Sequence, residues 1–532
     1  MGRRRLACVQ GLIMREAWLY RSIVFGLTSA FIGAISKLTF VDIDLFHEMA
    51  LFREALNNGS MPQNDVFSYI PTVNPVVHHE WGTGAILYWI TVKSGLGATG
   101  LMVLKYLLSL SVAWGCYAFA IRNGASRYVF SLLAFFGIGL GWIGFTTIRA
   151  QLFTLLFLTI LLFLVEEDRK GSRRFYLLWL PLYVIWLNVH GGFLAGFGLF
   201  VLYVMERLLF GLLDRKPFRE VITVNRRLIA VLVAMCLLLL INPYGLDYVP
   251  YLWNAVALSR SPLILEWGPL YHSTDVLLVF CGCLVVVLYA MSQKKLRDMP
   301  GLLLLAATAW VSFWHYRHLT LFAIVWMCYA PVYVGRTKLG YLIERTWTNQ
   351  PKVVFALFMT VGFLGIFYAS WNQFWNLRIP STIDQAQAGE PIYPVGAVRY
   401  LHDQNFSGNM MTPFEAGAYA SWKLYPRVKV SMDSRFEVAY PIESVKQNIR
   451  FYQAGDNWQD RLERYHTDAI LVPRSSKIKA ILDLSNGRTG GSGGIWRTVY
   501  LDDTFSIHLR SEVAGQYPFI DMRGKPIFDS FP

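Results

Sequence analysis

Between residues 20 and 371 the chain is a succession of apolar runs, many close to the roughly 20 residues a helix needs to cross a bilayer. Backbone polar groups cannot stay unpaired in hydrocarbon, so such a chain must first of all fold as a bundle of helices. Eleven spans are expected, at 20–41, 98–121, 128–147, 151–166, 175–190, 193–212, 228–242, 275–291, 299–314, 319–335 and 353–371. With 55% hydrophobic and 16% charged residues, an ordinary soluble globular protein is excluded. No cleavage pattern follows the apolar stretch near the N-terminus, so the first span is expected to be retained.

Orientation follows from the basic residues. The stretch 82–92, GTGAILYWITV, is too short to cross and reads as an aromatic helix lying in the interface. On that reading Arg3–Arg5, Arg122 and Arg127, Arg169–Arg174, Arg215–Arg227, Lys294–Arg297 and Arg336–Lys352 share one side, the cytoplasmic one. Loop placement also accounts for the net charge of +14, which would otherwise suggest a nucleic-acid partner. The six cysteines all precede residue 330, and Cys281 and Cys283 form no CxxC site, so no disulfide framework or cysteine metal centre is expected.

The opposite side collects the unusual polar residues. Its longest polar segment, 41–81, opens with Asp42, Asp44, His47 and Glu48 and closes with His78, His79, Glu80 and Trp81. Titratable groups this dense beside a span are costly unless they face water or a site. Asp42 and Asp44 form a DxD that can hold Mg²⁺ or Mn²⁺ against a phosphate, or supply a general base. Asp44 also suits a helix N-cap before LFHEMALFREAL. His78, His79 and Glu80 can serve as a base or ligand, or simply anchor the loop. Arg149, Gln151, Asn188, His190, the NPYG turn 242–245, Glu266, Arg317 and His318 fall on the same side. Arg149, His190, Arg317 and His318 can clamp a lipid phosphate, although arginines at helix ends also snorkel to headgroups.

After residue 371 the composition changes. Helices expected at 394–404, 414–424, 441–465 and 475–485 alternate with the short apolar strands RVKVSMD, DAILVPR, WRTVYLD and FSIHLR, the pattern of a compact α/β domain. NGRTGGSGG, 486–494, reads as a mobile loop. The expected fold class is a mainly α polytopic membrane protein, 1–371, with a C-terminal extracytoplasmic α/β domain, 372–532.

Several of these segments resemble the GT-C superfamily of polytopic glycosyltransferases. DIDLFHEMALFREALNNGSMPQNDVFSY is similar to the D-x-D…H…G-x-x-P-x-x-D-x-F-S pattern of a bacterial branch. HHEW, IRAQLFT, NVHGG, NPYGL, EW and GAYASWKLYPRVKVSMDSR are similar to it too, so that the resemblance covers roughly 20–440. Asp433-Ser434-Arg435 stands where many relatives read DGR, and Arg149-Ala150-Gln151 where they read RPQ.

The resemblance implies sugar transfer from a polyprenyl-phosphate donor to an acceptor hydroxyl on the extracytoplasmic face of the inner membrane, in cell-envelope glycan biosynthesis. It puts the catalytic carboxylate at Asp42 or Asp44, of which Asp44 is favoured with Asp42 as partner or metal ligand; Glu80 is a further candidate on its own chemistry. Substrate-binding roles are expected for His47, Glu48, His78, His79, Arg149, Gln151, Asn188, His190, Glu266, Arg317 and His318. A flippase of lipid-linked saccharides is the alternative, for which Lys105 and Glu206 are the mid-span polar candidates. A non-catalytic assembly subunit is the third reading.

Overall fold

The computed structural model describes residues 2–37, 39–172, 174–257, 267–386, 390–487, 495–529 and 531–532. Glu266 and most of the 486–494 segment lie outside the described residues. The chain forms two compact units, interleaved in sequence. The first comprises 1–39, 103–239 and 258–376; the second comprises 40–102, 240–257 and 377–532. A single linear division at 371/372 therefore does not describe them: the polar segment 41–81 and the NPYG region belong with the tail.

The first unit is helical. All eleven expected segments fall on helices, and among the described residues eight helices are long and apolar enough to cross a membrane. The helices Phe175–Val189 and Leu302–Trp314 are apolar but shorter, and Gln151–Arg169 ends in the charged run EEDR. The helix Leu319–Gly335 is apolar on every face and buried along nearly its whole length, as a bundle's central helix must be. The first helix is Gly2–Ile35, which ends before the expected boundary at 41. Its C-terminal end is capped by buried Lys105, whose Nζ donates to the Ile35 carbonyl at 3.0 Å and to Thr39 Oγ1 at 3.3 Å. Glu206 is likewise engaged, with Arg169 Nη2 at 2.8 Å and with the Gly301 N–H. Both residues weighed for a transport pathway thus have structural partners.

The second unit is built on a mixed six-stranded sheet of order β2-β1-β3-β5-β4-β6, with β1 Gly408–Met411, β2 Val428–Val430, β3 Ala469–Pro473, β4 Trp496–Leu501, β5 Phe505–Arg510 and β6 Ile520–Asp521. β1 pairs in parallel with β2 and β3, β5 runs antiparallel to β3 and β4, and β6 is parallel to β4. β3, AILV, is buried on both faces, as befits a central strand. Ile470, Val472, Met411, Phe451, Ile478 and Leu482 form the core on one side. The expected long helix 441–465 is two helices, Ile442–Tyr452 and Trp458–Arg464. Between them Ala454 and Asn457 adopt positive φ, which breaks the helical path.

The 41–81 segment is part of this unit. Phe67–Tyr69 runs alongside β2: Val430 N–H donates to Phe67 O at 2.9 Å, and Tyr69 N–H to Val430 O at 3.1 Å. Val73 N–H reaches Ala439 O at 2.9 Å. The stretch expected to lie in the interface forms the helix Trp81–Tyr88 and a π-helical turn, Trp89–Lys93, also in this unit.

Candidate active site

The helix Asp44–Asn58 sets the position of the acidic residues. Asp42 Oδ1 accepts the Asp44 N–H at 3.1 Å, and the Leu45 N–H bonds to the Asp42 carbonyl at 3.2 Å. The capping expected of Asp44 therefore falls to Asp42. Asp44 sits in the first turn, where the helix N-terminus favours an anion. One turn later come half-buried His47 and buried Glu48.

Glu80 immediately precedes the second helix, Trp81–Tyr88. That helix packs very closely on the first: a Cβ at Gly84 would lie 2.3 Å from the Glu48 carbonyl oxygen. Only glycine permits the approach, which sets the carboxyls of Glu48 and Glu80 against each other. Burial, and next the charge of Glu80, raise the Glu48 carboxyl well above its ordinary range, with smaller contributions from Asp44 and Asp42. Neither Glu48 oxygen has a hydrogen-bond partner of regular geometry among the described residues.

The imidazoles lie in the same region. His79 Nε2 is 3.2 Å from Glu80 Oε1, and its Nδ1 is 2.8 Å from the Tyr251 hydroxyl. The His78 ring packs against Tyr244. Burial is the main cause that lowers both His47 and His78, His47 to about 4 and His78 well below its ordinary value; the Arg435 charge adds to both. Burial therefore favours the neutral form of both rings.

The tail supplies what the sequence site set lacks. Ser434 Oγ lies 3.2 Å from His47 Nδ1. On either side of it, Arg435 Nε and Nη2 form a fork on Asp433 at 2.8 and 2.7 Å, and Nη1 bonds Asp65 of the first polar segment. Phe67 and Tyr440 pack against the guanidinium. Burial would raise Asp433, but the Arg435 guanidinium overrides it and holds the carboxyl below its ordinary value. This turn also depends on a glycine, because a Cβ at Gly417 would lie 1.8 Å from the Met432 carbonyl. DSR was visible only as a departure from a resembled motif, and Asp65 only as the D of the G-x-x-P-x-x-D pattern.

Asp42, Asp44, Glu48, Glu80, His47, His78 and His79 are thus brought together in one unit. Arg149, Gln151, Asn188, His190, Arg317 and His318 belong to the other. There, Asn188 Nδ2 donates to Val184 O at 2.9 Å; His190 Nδ1 receives the Gly192 N–H at 2.9 Å and lies 2.7 Å from Thr154 Oγ1. Gln151 opens its helix, half-buried Arg149 precedes it, and Arg317 and His318 pack on Trp267. Among the described residues no three His, Cys, Asp or Glu side chains are disposed to hold a metal, so the cation expected at Asp42 and Asp44 has no ready-made ligand set of that kind.

No protein-family model matches the chain, and no curated protein sequence matches it. Solved structures do. The archaeal oligosaccharyltransferase AglB from Archaeoglobus fulgidus, in complex with an inhibitory peptide and a dolichol-phosphate, superposes with a TM-score of 0.52 at 12% identity, over 86% of this chain and 69% of that one. The Archaeoglobus fulgidus oligosaccharyltransferase tethered to an acceptor peptide containing the NVT sequon gives a TM-score of 0.51 at 11% identity, over 89% and 70%. At such identity the likeness concerns the fold alone: this chain, with its membrane-length helices and its C-terminal sheet, shares the fold of those oligosaccharyltransferase structures.

Proposed function

We propose that the chain is a membrane glycosyltransferase that moves a sugar from a polyprenyl-phosphate donor to an acceptor hydroxyl on the extracytoplasmic face. The observation that carries this reading is the group of four carboxylates, Asp42, Asp44, Glu48 and Glu80, gathered at the adjoining N-terminal ends of two helices. The fold shared with oligosaccharyltransferases, one of them bound to dolichol-phosphate, agrees with it.

In this reading Asp44 takes the proton of the acceptor hydroxyl. The acceptor oxygen bonds to the anomeric carbon from the face opposite the phosphate. The bond from that carbon to the phosphate oxygen breaks, polyprenyl phosphate leaves, and the sugar's configuration inverts. A quartet of charged carboxylates would repel an anionic donor; burial favours a proton on Glu48, which reduces that charge. Neutral His47, oriented by Ser434, adds no competing ion pair to Asp44. The phosphate-clamp role of Arg149 and Arg317 is proposed on their chemistry alone.

The experiment is to incubate the purified full-length protein with a panel of polyprenyl-phosphate hexoses and a membrane glycan extract as acceptor source. Acceptor-dependent release of polyprenyl phosphate, with inverted anomeric configuration in the product, is expected. Movement of intact donor across a vesicle without cleavage would instead establish the flippase reading.

A further inference from the structure

A cavity of about 360 Å³ opens in the first unit, where no catalytic expectation fell. Arg122 and Asn123 line it from the end of the helix Gly97–Arg122, Glu166 and Lys170 from the end of Gln151–Arg169, and Tyr329 and Arg336 from the end of Leu319–Gly335. Three of the loops that the charge bias groups on the basic side therefore meet at one place. The size is at the lower end of the ~300–1,000 Å³ of small-ligand pockets.

The lining is cationic: Arg122, Lys170 and Arg336 against the single carboxylate of Glu166. All three cations are exposed at the rim. Arg336 Nη2 is fixed by the Asn123 carbonyl at 3.1 Å, and Arg122 Nη2 by Glu167 at 2.7 Å, so both guanidinium groups are held in place. Deeper in the wall Tyr329 is 1% exposed, and its hydroxyl has no hydrogen-bond partner among the described residues; Glu166 Oε2 is in an ion pair with Arg169 Nε at 3.7 Å. A buried hydroxyl without a hydrogen-bond partner, beneath a ring of cations, is a group awaiting a polar ligand.

We propose that this cavity binds a phosphate group, carried on the headgroup of an anionic bilayer lipid. Arginine forks and a mobile lysine suit a phosphate oxyanion, and basic pockets between helices at the basic side of a membrane protein take such headgroups. Tyr329 donates to the phosphate or a headgroup oxygen, and Glu166 accepts from a headgroup hydroxyl, as glycerol offers. A free phosphate has the same oxyanion chemistry without the acyl anchor.

The test uses the full-length protein reconstituted with phosphatidylglycerol or phosphatidylcholine, then delipidated and weighed by native mass spectrometry. One phosphatidylglycerol per chain should resist delipidation, and phosphatidylcholine should not. Arg122→Gln/Lys170→Gln/Arg336→Gln should weaken retention by about a hundredfold, at the ordinary worth of three basic contacts. Arg219→Gln/Arg226→Gln/Arg227→Gln removes the same charge from exposed positions of the helix Phe218–Leu238, which does not line the cavity. It should change retention by less than about threefold at physiological salt. Tyr329→Phe, which leaves the charge alone, should also loosen the lipid. Displacement of the lipid by inorganic phosphate would identify the bare oxyanion as the ligand, and resistance would identify the anchored headgroup. Equal losses in the two triple variants, or no retained lipid and no phosphate binding in the wild type, would overturn the proposal.

Discussion

Ser434 of the tail and His47 of the first polar segment, 387 residues apart in the chain, meet with 3.2 Å between hydroxyl oxygen and Nδ1. Both are held from outside the contact. Asp433 and Arg435 lock the turn that carries Ser434, while Asp42 begins the helix that carries His47. If Ser434 orients a neutral His47 beside the acidic group, Ser434→Ala should lower turnover about fivefold, the worth of one ordinary hydrogen bond near 1 kcal/mol. Ser434→Thr should recover most of the loss, and the unfolding temperature should barely move. Full activity in the alanine variant would show the contact to be incidental.

Arg435 should behave differently, because it is buried between two carboxylates. Arg435→Ala leaves Asp433 and Asp65 buried without a countercharge, which should cost about 3–5 kcal/mol. Arg435→Lys keeps the charge but loses the fork and should fall between. Thermal unfolding in detergent, followed in the tail by its tryptophans, is the measurement; an unchanged midpoint in Arg435→Ala would dissolve the clamp.

Glu48 gives a pH prediction with a definite sign. Its folded-state value lies above its ordinary 4.5, so the proton it holds contributes stability fully below pH 4.5, and this is lost as pH rises through the folded value. Glu48→Gln has no such proton to lose. Its stability relative to wild type should therefore increase with pH above about 4.5, by up to ~1.4 kcal/mol per unit. His47, lowered to about 4, acts in the opposite window: its contribution is lost as pH falls from 6.5 towards 4, in both proteins alike. Unfolding curves of the pair at pH 5 and pH 8 decide it. A difference that stays constant between the two pH values would mean that Glu48 is ionised in the folded protein.

Arg149 and Arg317 carry the proposal of a donor-phosphate clamp. Arg149→Ala and Arg317→Ala should raise the donor concentration needed for half-maximal rate by at least about tenfold, since hydrogen bonds to charged groups are worth ~1.5–3 kcal/mol. Lysine at either position should restore only part of this, because it keeps the charge and loses the fork. Unchanged donor dependence in the alanine variants would assign these residues to headgroups.

Much of the fold was legible because apolar runs and strand alternation are local signals. All eleven apolar segments are helical, and the cores of DAILVPR, WRTVYLD and FSIHLR are strands. GNMM at 408–411 and ID at 520–521 were not legible, being too short and mixed to show alternation. Nor was the partition, since only tertiary pairing such as Phe67–Val430 commits the first polar segment to the tail's sheet. The acidic half of the site could be read from charge crowded beside a span. Asp433-Ser434-Arg435 could not, because a buried ion pair and an exposed one look the same in sequence. Tyr251, which meets His79, sat in an apolar aromatic stretch with no titratable company.

The central claim is that the acidic group of the second unit performs sugar transfer with Asp44 as base. The most direct measurement is a single-turnover assay of the wild type, Asp44→Asn and Asp42→Asn, using a polyprenyl-phosphate hexose that the wild type consumes and reading release of polyprenyl phosphate. Asp44→Asn should fall at least about a hundredfold, as expected on removing a general base, with an unchanged unfolding temperature. Asp42→Asn keeps an oxygen that accepts the Asp44 N–H and should leave stability nearly unchanged, since Asn caps a helix as well as Asp. An Asp44→Asn protein that folds normally and releases polyprenyl phosphate at the wild-type rate would contradict the account.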